Sequence, residues 1–317
     1  MQTFLISACH DRLPMLRNGT TGDWIGTFTG HKGAVWSACL DSAGYLSATA
    51  SGDYSIKIWD AINGEYLFGY DHEHIMKSVK FSLDSMKLAS GGHEGLLRIY
   101  DLKHKLINVD KKKKDSSGKD VDNDNNGEEV VTIPIMATDD EGNSRKVVIT
   151  KVEWLNNNVV LAACSDGFVR FYEINTKMLL RKLNVEAEVR DMEISRSPVN
   201  MLTVAAGDTV YFFNIVESIT NSGDDNNNIQ PESPLHSHKM PINFINEGGA
   251  SLHPSGLRFV AGGSDLWVRV FETKTGDQLE CHRGHHGPVR CVRYAPDGKT
   301  YATGSEDGTV RLWRTDP

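Results

Sequence analysis

One polar spacing recurs in this chain and constrains it more than anything else. Around Asp307, a His lies 22 residues before (His285), a Thr 4 before (Thr303) and a Trp 6 after (Trp313). Around Asp53 the same offsets pick out His31, Thr49 and Trp59. Between these positions run short stretches rich in β-branched and aromatic residues, such as Val292 to Tyr294 and Val310 to Trp313. They are broken at Pro296-Asp297-Gly298 and Asp307-Gly308. Strand-length runs separated by Asp-Gly turns predict consecutive hairpins. An Asp in such a turn can accept from the imidazole and from turn N–H groups, the His can reach the Thr hydroxyl, and the Thr can reach the indole N–H. A linked set of this kind satisfies polar groups that stacked sheets would otherwise bury unpaired.

A unit of this length that opens on Gly-His (Gly30-His31, Gly284-His285) and closes on Trp-Asp (Trp59-Asp60) is the WD40 signature. That signature marks one propeller blade per ~40–45 residues. Aligned on the turn acid, the first unit is incomplete: Phe4 to Cys9 is a strand, Asp11 the turn, and Arg17 stands at the Trp position before an outer strand from Trp24 to Phe28. In the third unit His72, Ser90, Glu94 and Tyr100 keep every offset, with Glu for Asp and Tyr for Trp. The fourth keeps Asp166 and Tyr172, with Ala162 and Ser144 where Thr and His would stand. The fifth keeps Asp208 and Phe213, and the sixth Asp265 and Phe271 with Ala261 for Thr. Turn acids are separated by 42, 41, 72, 42, 57 and 42 residues. The two long intervals contain polar stretches, 106–129 and 218–237, too poor in apolar residues to offset the entropy of ordering them. We therefore expect one domain over 1–317, an all-β, seven-bladed WD40 β-propeller with two disordered-type surface insertions. With the usual four strands per blade, an inner strand is missing before Phe4 and an outer one after Trp313, so the first and last blades are expected to be incomplete.

A formal net charge of −8 argues against broad binding to nucleic acid or to anionic membrane. No apolar run reaches membrane-spanning length and the N-terminus lacks a signal-peptide layout. The cysteines Cys9, Cys39, Cys164, Cys281 and Cys291 show no CxxC spacing and fall mostly in predicted strands. They are expected to be buried free thiols in a reducing compartment, the cytoplasm with possible access to the nucleus.

The stretch Pro14 to Arg17, then Thr21 to Phe28 and Gly30 to Trp36, closely resembles the serine/threonine kinase receptor-associated (unrip) family. So do Leu97 to Leu102, Ala250 to Pro254 and Gly284 to Trp313. The resemblance spans the chain apart from the polar stretches. It implies a non-enzymatic adaptor that binds other proteins, with family roles in the survival-of-motor-neuron complex, small nuclear ribonucleoprotein assembly, receptor-kinase signalling and messenger RNA translation. Subunit i of translation initiation factor three shares the Gly-His, Gly-Ala-Val-Trp and Gly-Pro-Val elements, but not the wording of Pro14 to Phe28. It is the alternative within the same fold.

From another class, a propeller hydrolase would read Thr49, His31 and Asp53 as a hydroxyl–imidazole–carboxylate triad. That requires an exposed hydroxyl beside an oxyanion site. The repetition of the set at Thr303, His285 and Asp307 favours internal fasteners, since an active site is not normally duplicated. Zinc needs three or four converging ligands. His72 and His285 already belong to hydrogen-bonded sets, which leaves His74, His282 and His286 short of a site, so no metal or cofactor is expected. His236-Ser237-His238 is expected to be solvated at a loop end. Lys111 to Lys114 reads as a solvated run neutralised by the acids that follow.

For partner binding, the residue before the turn acid and the one seventeen before it should open onto the narrower face. These are Trp36, Lys77, His93, Arg290 and Glu306. Trp and Arg are effective interaction anchors. The partners expected are proteins of a multi-protein complex, with no membrane or DNA. No aromatic–basic RNA motif stands out, and the chain alone is expected to be a monomer.

Overall fold

Alternating side chains along short strands, closed by turns that need a left-handed residue, build antiparallel sheets one repeat at a time. The residue after the turn acid has positive φ at Gly95 (69°), Gly167 (81°) and Gly308 (77°), where glycine meets no steric cost. The second repeat places Tyr54 there at 68°. The computed structural model describes residues 3–114, 130–138, 144–196, 198–215, 232–242, 244 and 248–315.

The first sheet runs β1 (Phe4–Ser7), β2 (Met15–Asn18), β3 (Trp24–Thr27). The second is β4 (Val35–Leu40), β5 (Leu46–Ser51), β6 (Ser55–Asp60), β7 (Tyr66–Asp71). The third begins with β8 (Met76–Phe81), β9 (Lys87–Gly92) and β10 (Leu96–Asp101). After helix α1 (Lys103–Lys114) it is completed by β11 (Val130–Pro134). A hairpin of β12 (Met136–Thr138) and β13 (Ser144–Lys146) precedes the fourth sheet, β14 (Ile149–Trp154), β15 (Val159–Cys164), β16 (Phe168–Glu173), β17 (Leu179–Asn184). The fifth is β18 (Val189–Ser195), β19 (Met201–Ala206), β20 (Thr209–Asn214), β21 (His236–Lys239). The sixth is β22 (Gly249–Leu252), β23 (Arg258–Gly262), β24 (Trp267–Glu272), β25 (Gln278–Arg283), and the seventh β26 (Val289–Tyr294), β27 (Thr300–Ser305), β28 (Val310–Arg314). Among the described residues the seven repeats thus give seven sheets besides the β12–β13 hairpin, the first and last with three strands where the five between have four.

The polar insertions differ in part from the expectation. Residues 106–114 belong to α1, and Leu106 packs against the apolar layer built from Ile58, Tyr70, Phe81 and Tyr100. Residues 115–129 and 218–231, with the Asn-rich runs, lie outside the described residues, as do the side chains of Lys111 to Lys114. The end of the second insertion is a strand. β21 pairs with β20 through Val210↔His238, and His238 donates from Nε2 to the Thr273 carbonyl (2.7 Å) rather than standing solvated at a loop end. The outer strands β11 and β21 escaped the sequence reading because each is separated from its sheet by a long polar link.

The chain divides into two compact units: Met1–Leu5, Leu16–Ile25 and Leu161–Pro317 in one, Ile6–Met15 and Gly26–Val160 in the other. In the second of these, inner strands are stapled to their neighbours. Ser37 Oγ accepts the Val79 N–H (3.4 Å), Ser78 Oγ accepts the Val152 N–H (3.0 Å), and Lys80 pairs with Glu153 (2.7 Å). In the first, Ser251 Oγ accepts the Tyr294 N–H (2.9 Å), and Arg293 forks onto Asp191 with two contacts of 2.6 Å. That fork passes Gly249, where a Cβ would stand 2.4 Å from Asp191 Oδ2.

The cysteines separate by position. Cys39 and Cys164 are buried thiols whose burial pushes them up to about 11 and about 12. Cys281 and Cys291 are exposed, against expectation: Cys281 lies on the outer strand β25, which keeps a solvent face.

Candidate functional site

In the second repeat His31 Nδ1 lies 2.9 Å from Asp53 Oδ2, His31 Nε2 lies 2.7 Å from Thr49 Oγ1, and Trp59 Nε1–H donates to that hydroxyl at 2.9 Å. Asp53 also takes the Lys32 N–H (2.8 Å) and the Ser55 hydroxyl (2.6 Å). Burial opposes its ionisation, and the Ser55, Lys32 and His31 donors outweigh that cost, holding the carboxyl well below the usual carboxylate range. Burial pushes His31 below its ordinary value against the pull of Asp53, so the imidazole is neutral. The seventh repeat reproduces the arrangement. His285 is 3.0 Å from Asp307 and 2.7 Å from Thr303, with Trp313 donating to Thr303 at 2.8 Å. Thr49 and Thr303 are buried to within 1% of full exclusion, so neither hydroxyl meets solvent or a substrate.

The third repeat keeps the offsets and changes the wiring. The Tyr100 hydroxyl bonds His72 Nε2 directly (3.0 Å), with Ser90 at 3.5 Å, and no hydrogen bond joins His72 to Glu94. Glu94 turns to the N–H groups of Glu73 (2.7 Å) and His74 (3.2 Å) and pairs with Arg98. Burial, reinforced by the Arg98 charge, lowers His72 to about 4. The Glu side chain is one methylene longer than Asp, and the phenol replaces an indole that would have required the Ser hydroxyl as acceptor.

The fork is a second solution the sequence reading missed. Arg170 grips Asp166 with contacts of 2.9 and 2.5 Å, both side chains nearly sealed, and Arg269 pairs with Asp265 at 2.7 Å. In each case the Arg stands four residues after the turn acid, a spacing visible in the strings EGLLR, DGFVR and DLWVR. In the fifth repeat, Asp208 pairs instead with Lys239 of the outer strand (3.0 Å).

The candidate rim has a backbone cause. The ladders of β4, β8, β18 and β26 skip a residue against their partners, and the skipped residues are Trp36, Lys77, Arg190 and Arg290. A bulge of this kind re-aims the side chain out of the ladder. Arg190 was not among the expected rim residues and pairs with Glu188 (2.7 Å). Lys77 Nζ lies 3.2 Å from the Trp36 ring centre and His10 meets that ring edge-on at 4.7 Å. His93 stacks on His74 at 5.0 Å. Arg290 pairs with Glu306. Thus Trp36, Lys77 and His93 lie in one compact unit, and Arg290 with Glu306 in the other.

The histidines considered for metal are engaged separately: His72 with Tyr100, His74 with His93, His282 with Glu280 (2.8 Å), His285 with Asp307. Among the described residues no three His, Cys, Asp or Glu side chains form a group that could hold a metal ion. Among them, too, no helix is long and apolar enough to cross a membrane.

The family model described as WD domain, G-beta repeat matches residues 22–60, 65–101 and 276–314, the repeats with the fullest offset sets. The serine-threonine kinase receptor-associated protein of Dictyostelium discoideum is 36% identical over 312 residues, covering 98% of this chain and 90% of that protein. The Gallus gallus protein of the same name is 37% identical over the same share of this chain and 75% of its own length. The chain belongs to the serine-threonine kinase receptor-associated protein family. Translation initiation factor 3 subunit I of Culex quinquefasciatus is a more distant relative of this family member, 25% identical over 97% of the chain and 89% of that protein. The Cps50 (Swd1) β-propeller domain of Myceliophteria thermophila superposes with a TM-score of 0.76 over 99% of this chain and 94% of that one, at 14% identity. The fold class of this member of the receptor-associated family is the seven-bladed WD40 β-propeller.

Proposed function

We propose that the protein is a non-enzymatic scaffold that binds other proteins through its repeat ends, with ribonucleoprotein assembly in the cytoplasm as its most general role. That role is of the kind the survival-of-motor-neuron complex performs; a signalling role beside receptor kinases belongs to the same family reading. The observation that carries the proposal is the burial of Thr49 and Thr303. The side chains that resemble catalytic apparatus are consumed in holding sheets together, and the half-buried Trp36 and Lys77, each set out of its ladder by a bulge, are the residues we assign to partner contact together with His93. The initiation-factor reading is supported by more distant relatives, 24% and 25% identical, against 36% for the receptor-associated protein.

Affinity purification of the tagged chain from its own cell, read by mass spectrometry, tests the proposal. We expect stoichiometric protein partners from a ribonucleoprotein-assembly complex. Recovery with initiation-factor subunits would favour the alternative, and recovery of the chain alone would overturn both. Trp36→Ala should lose a partner while leaving thermal unfolding unchanged; equal recovery by both forms would remove Trp36 as an anchor.

A further inference from the structure

At the opposite strand ends from the rim, the second and third repeats expose Tyr45 (64%), Ile62 (71%), Leu83 (43%) and Met86 (47%). These side chains sit on adjoining loops. The Ala61 N–H donates to the Tyr45 carbonyl (2.8 Å), which sets Ile62 beside Tyr45. Ser42 meets Ser85 at 3.1 Å between hydroxyls, which joins the Tyr45 loop to the loop holding Leu83 and Met86.

The repeats themselves provide a control for what the fold requires here. The Tyr45 carbonyl has counterparts in Met86, which accepts from Leu102, in Leu257, which accepts from Thr273, and in Lys299, which accepts from Thr315, each at 2.9 Å. The seventh repeat fills the position with an exposed lysine, so the fold uses the carbonyl and leaves the side chain unconstrained. The position after the donor is Ile62 in the second repeat but Lys103 in the third and Lys274 in the sixth. An exposed Tyr and an exposed Ile at two tolerant positions, contiguous with Leu83 and Met86, have no structural role to account for them. Clustered exposed apolar side chains mark contact surfaces.

The charges around the cluster indicate its occupant. Asp60 accepts the Ile62 N–H (2.9 Å), Asp84 the Met86 N–H (3.1 Å) and Asp101 the Lys103 N–H (2.8 Å), and Glu65 stands on the loop that carries Ile62. Among the described lysines near this end, Lys87 turns its ammonium to the Asn157 carbonyl (3.4 Å), Lys105 lies over the Tyr70 ring (4.2 Å) and Lys103 stands exposed. Four carboxylates therefore outnumber the cations at the border of an apolar centre, on a chain whose net charge is −8. We propose that the Tyr45–Ile62–Leu83–Met86 surface docks an amphipathic segment of a partner protein whose apolar side chains are flanked by lysine or arginine. The apolar centre supplies anchors, Met86 adapts to their shape, and the carboxylates orient the cations. This inference rests on the scaffold reading and names a second surface for it.

The test uses the full chain and a fluorescein-labelled synthetic peptide with Leu and Lys at helical spacing, alongside a counterpart in which Glu replaces Lys, read by anisotropy. The Leu/Lys peptide is expected to bind, and the Leu/Glu peptide to bind about tenfold more weakly or less. Y45K/I62K should weaken the Leu/Lys complex by about tenfold or more with thermal unfolding unchanged. If that pair fails to fold, I62K alone serves, since the third and sixth repeats already hold lysine at that position. E65K, which leaves the apolar centre intact, should weaken binding a few-fold and flatten its salt dependence. No binding, equal binding of the two peptides, or equal binding by wild type and Y45K/I62K would overturn the proposal. So would a wild-type dimer by light scattering that becomes a monomer in Y45K/I62K, which would give the surface to a second copy of the chain. Cellular partners retained equally by wild type and Y45K/I62K would remove this surface and leave the scaffold reading standing.

Discussion

The second and third repeats carry an acid at the same turn, a histidine 22 residues earlier and an aromatic 6 residues later, yet they are wired differently. In the second, the acid belongs to the histidine and the chain of donors runs neutral from Trp59 through Thr49 and His31 to Asp53. In the third, the acid belongs to Arg98 and the histidine to Tyr100. The fourth and sixth repeats dispense with the histidine and set an arginine on the acid, forked at Asp166 and by a single contact at Asp265. The fold therefore requires a carboxylate that gathers donors at this turn, and leaves the side-chain donor open. In the seventh repeat Arg311 also stands four residues after Asp307, but His285 holds the acid. An arginine at that spacing is not sufficient where an Asp and a His are already matched.

The sharpest contrast between the two solutions is the cost of breaking them. The fork at Asp166–Arg170 is a nearly sealed ion pair, so Arg170→Ala strands a buried carboxylate and should cost about 3–5 kcal/mol by urea denaturation. The double change D166L/R170M should recover most of that loss, because apolar pairs of similar volume replace such bridges at little cost. Recovery of nothing would mean the carboxylate has turn duties beyond the fork.

Asp53→Ala comes next, at about 2–3 kcal/mol, since it leaves His31, the Lys32 N–H and Ser55 without their acceptor. Unchanged stability would remove the relay as a fastener.

A smaller effect separates the two wirings by pH. The folded third repeat holds His72 near 4, whereas the unfolded chain protonates near the ordinary 6.5. As pH falls through that window the unfolded state takes up the proton first. Stability from His72 is therefore complete above pH 6.5, declines toward 4 and is flat below. H72N should show a shallower decline of the melting temperature across this window than wild type; identical slopes would refute the assignment.

The smallest change tests the reason for the difference. Glu94→Asp shortens the acid and should hand it from Arg98 to His72, with stability altered by about 1 kcal/mol or less. The His72 imidazole, followed by NMR titration, should then move up from about 4 toward its ordinary value; no movement would show that acid length does not decide the wiring.

Much of this was legible before any coordinates. The offsets around Asp53 and Asp307 encode local geometry, because each set lies within one hairpin series, and strand periodicity located every sheet. What stayed hidden depends on relations a single repeat does not contain. The third-repeat wiring turns on one methylene and one phenol. The forks sat in plain view as an acid followed four residues later by arginine, but the unit was read for histidine and tryptophan. The ladders skip Trp36, Lys77 and Arg290, which stand seventeen residues before their turn acids, whereas Arg190 stands eighteen before Asp208 and so escaped that spacing. The strands β11 and β21 were lost for a reason of connectivity, since each follows a polar stretch that reads as a boundary.

Both long links enter at the same place, between the third strand of a sheet and its outermost one. Closing a longer loop costs only about 0.6 kcal/mol per doubling of its length, so such a link can lengthen with little penalty while the three strands before it fold from their own hairpins. The outermost strand is then a late arrival, held by one neighbour through pairings such as Leu97↔Ile133 and Ile99↔Val131. A chain cut within that link would keep its last strand through backbone pairing and the burial of Ile133, without a covalent tie, which makes this a natural position at which to split the protein into complementing fragments.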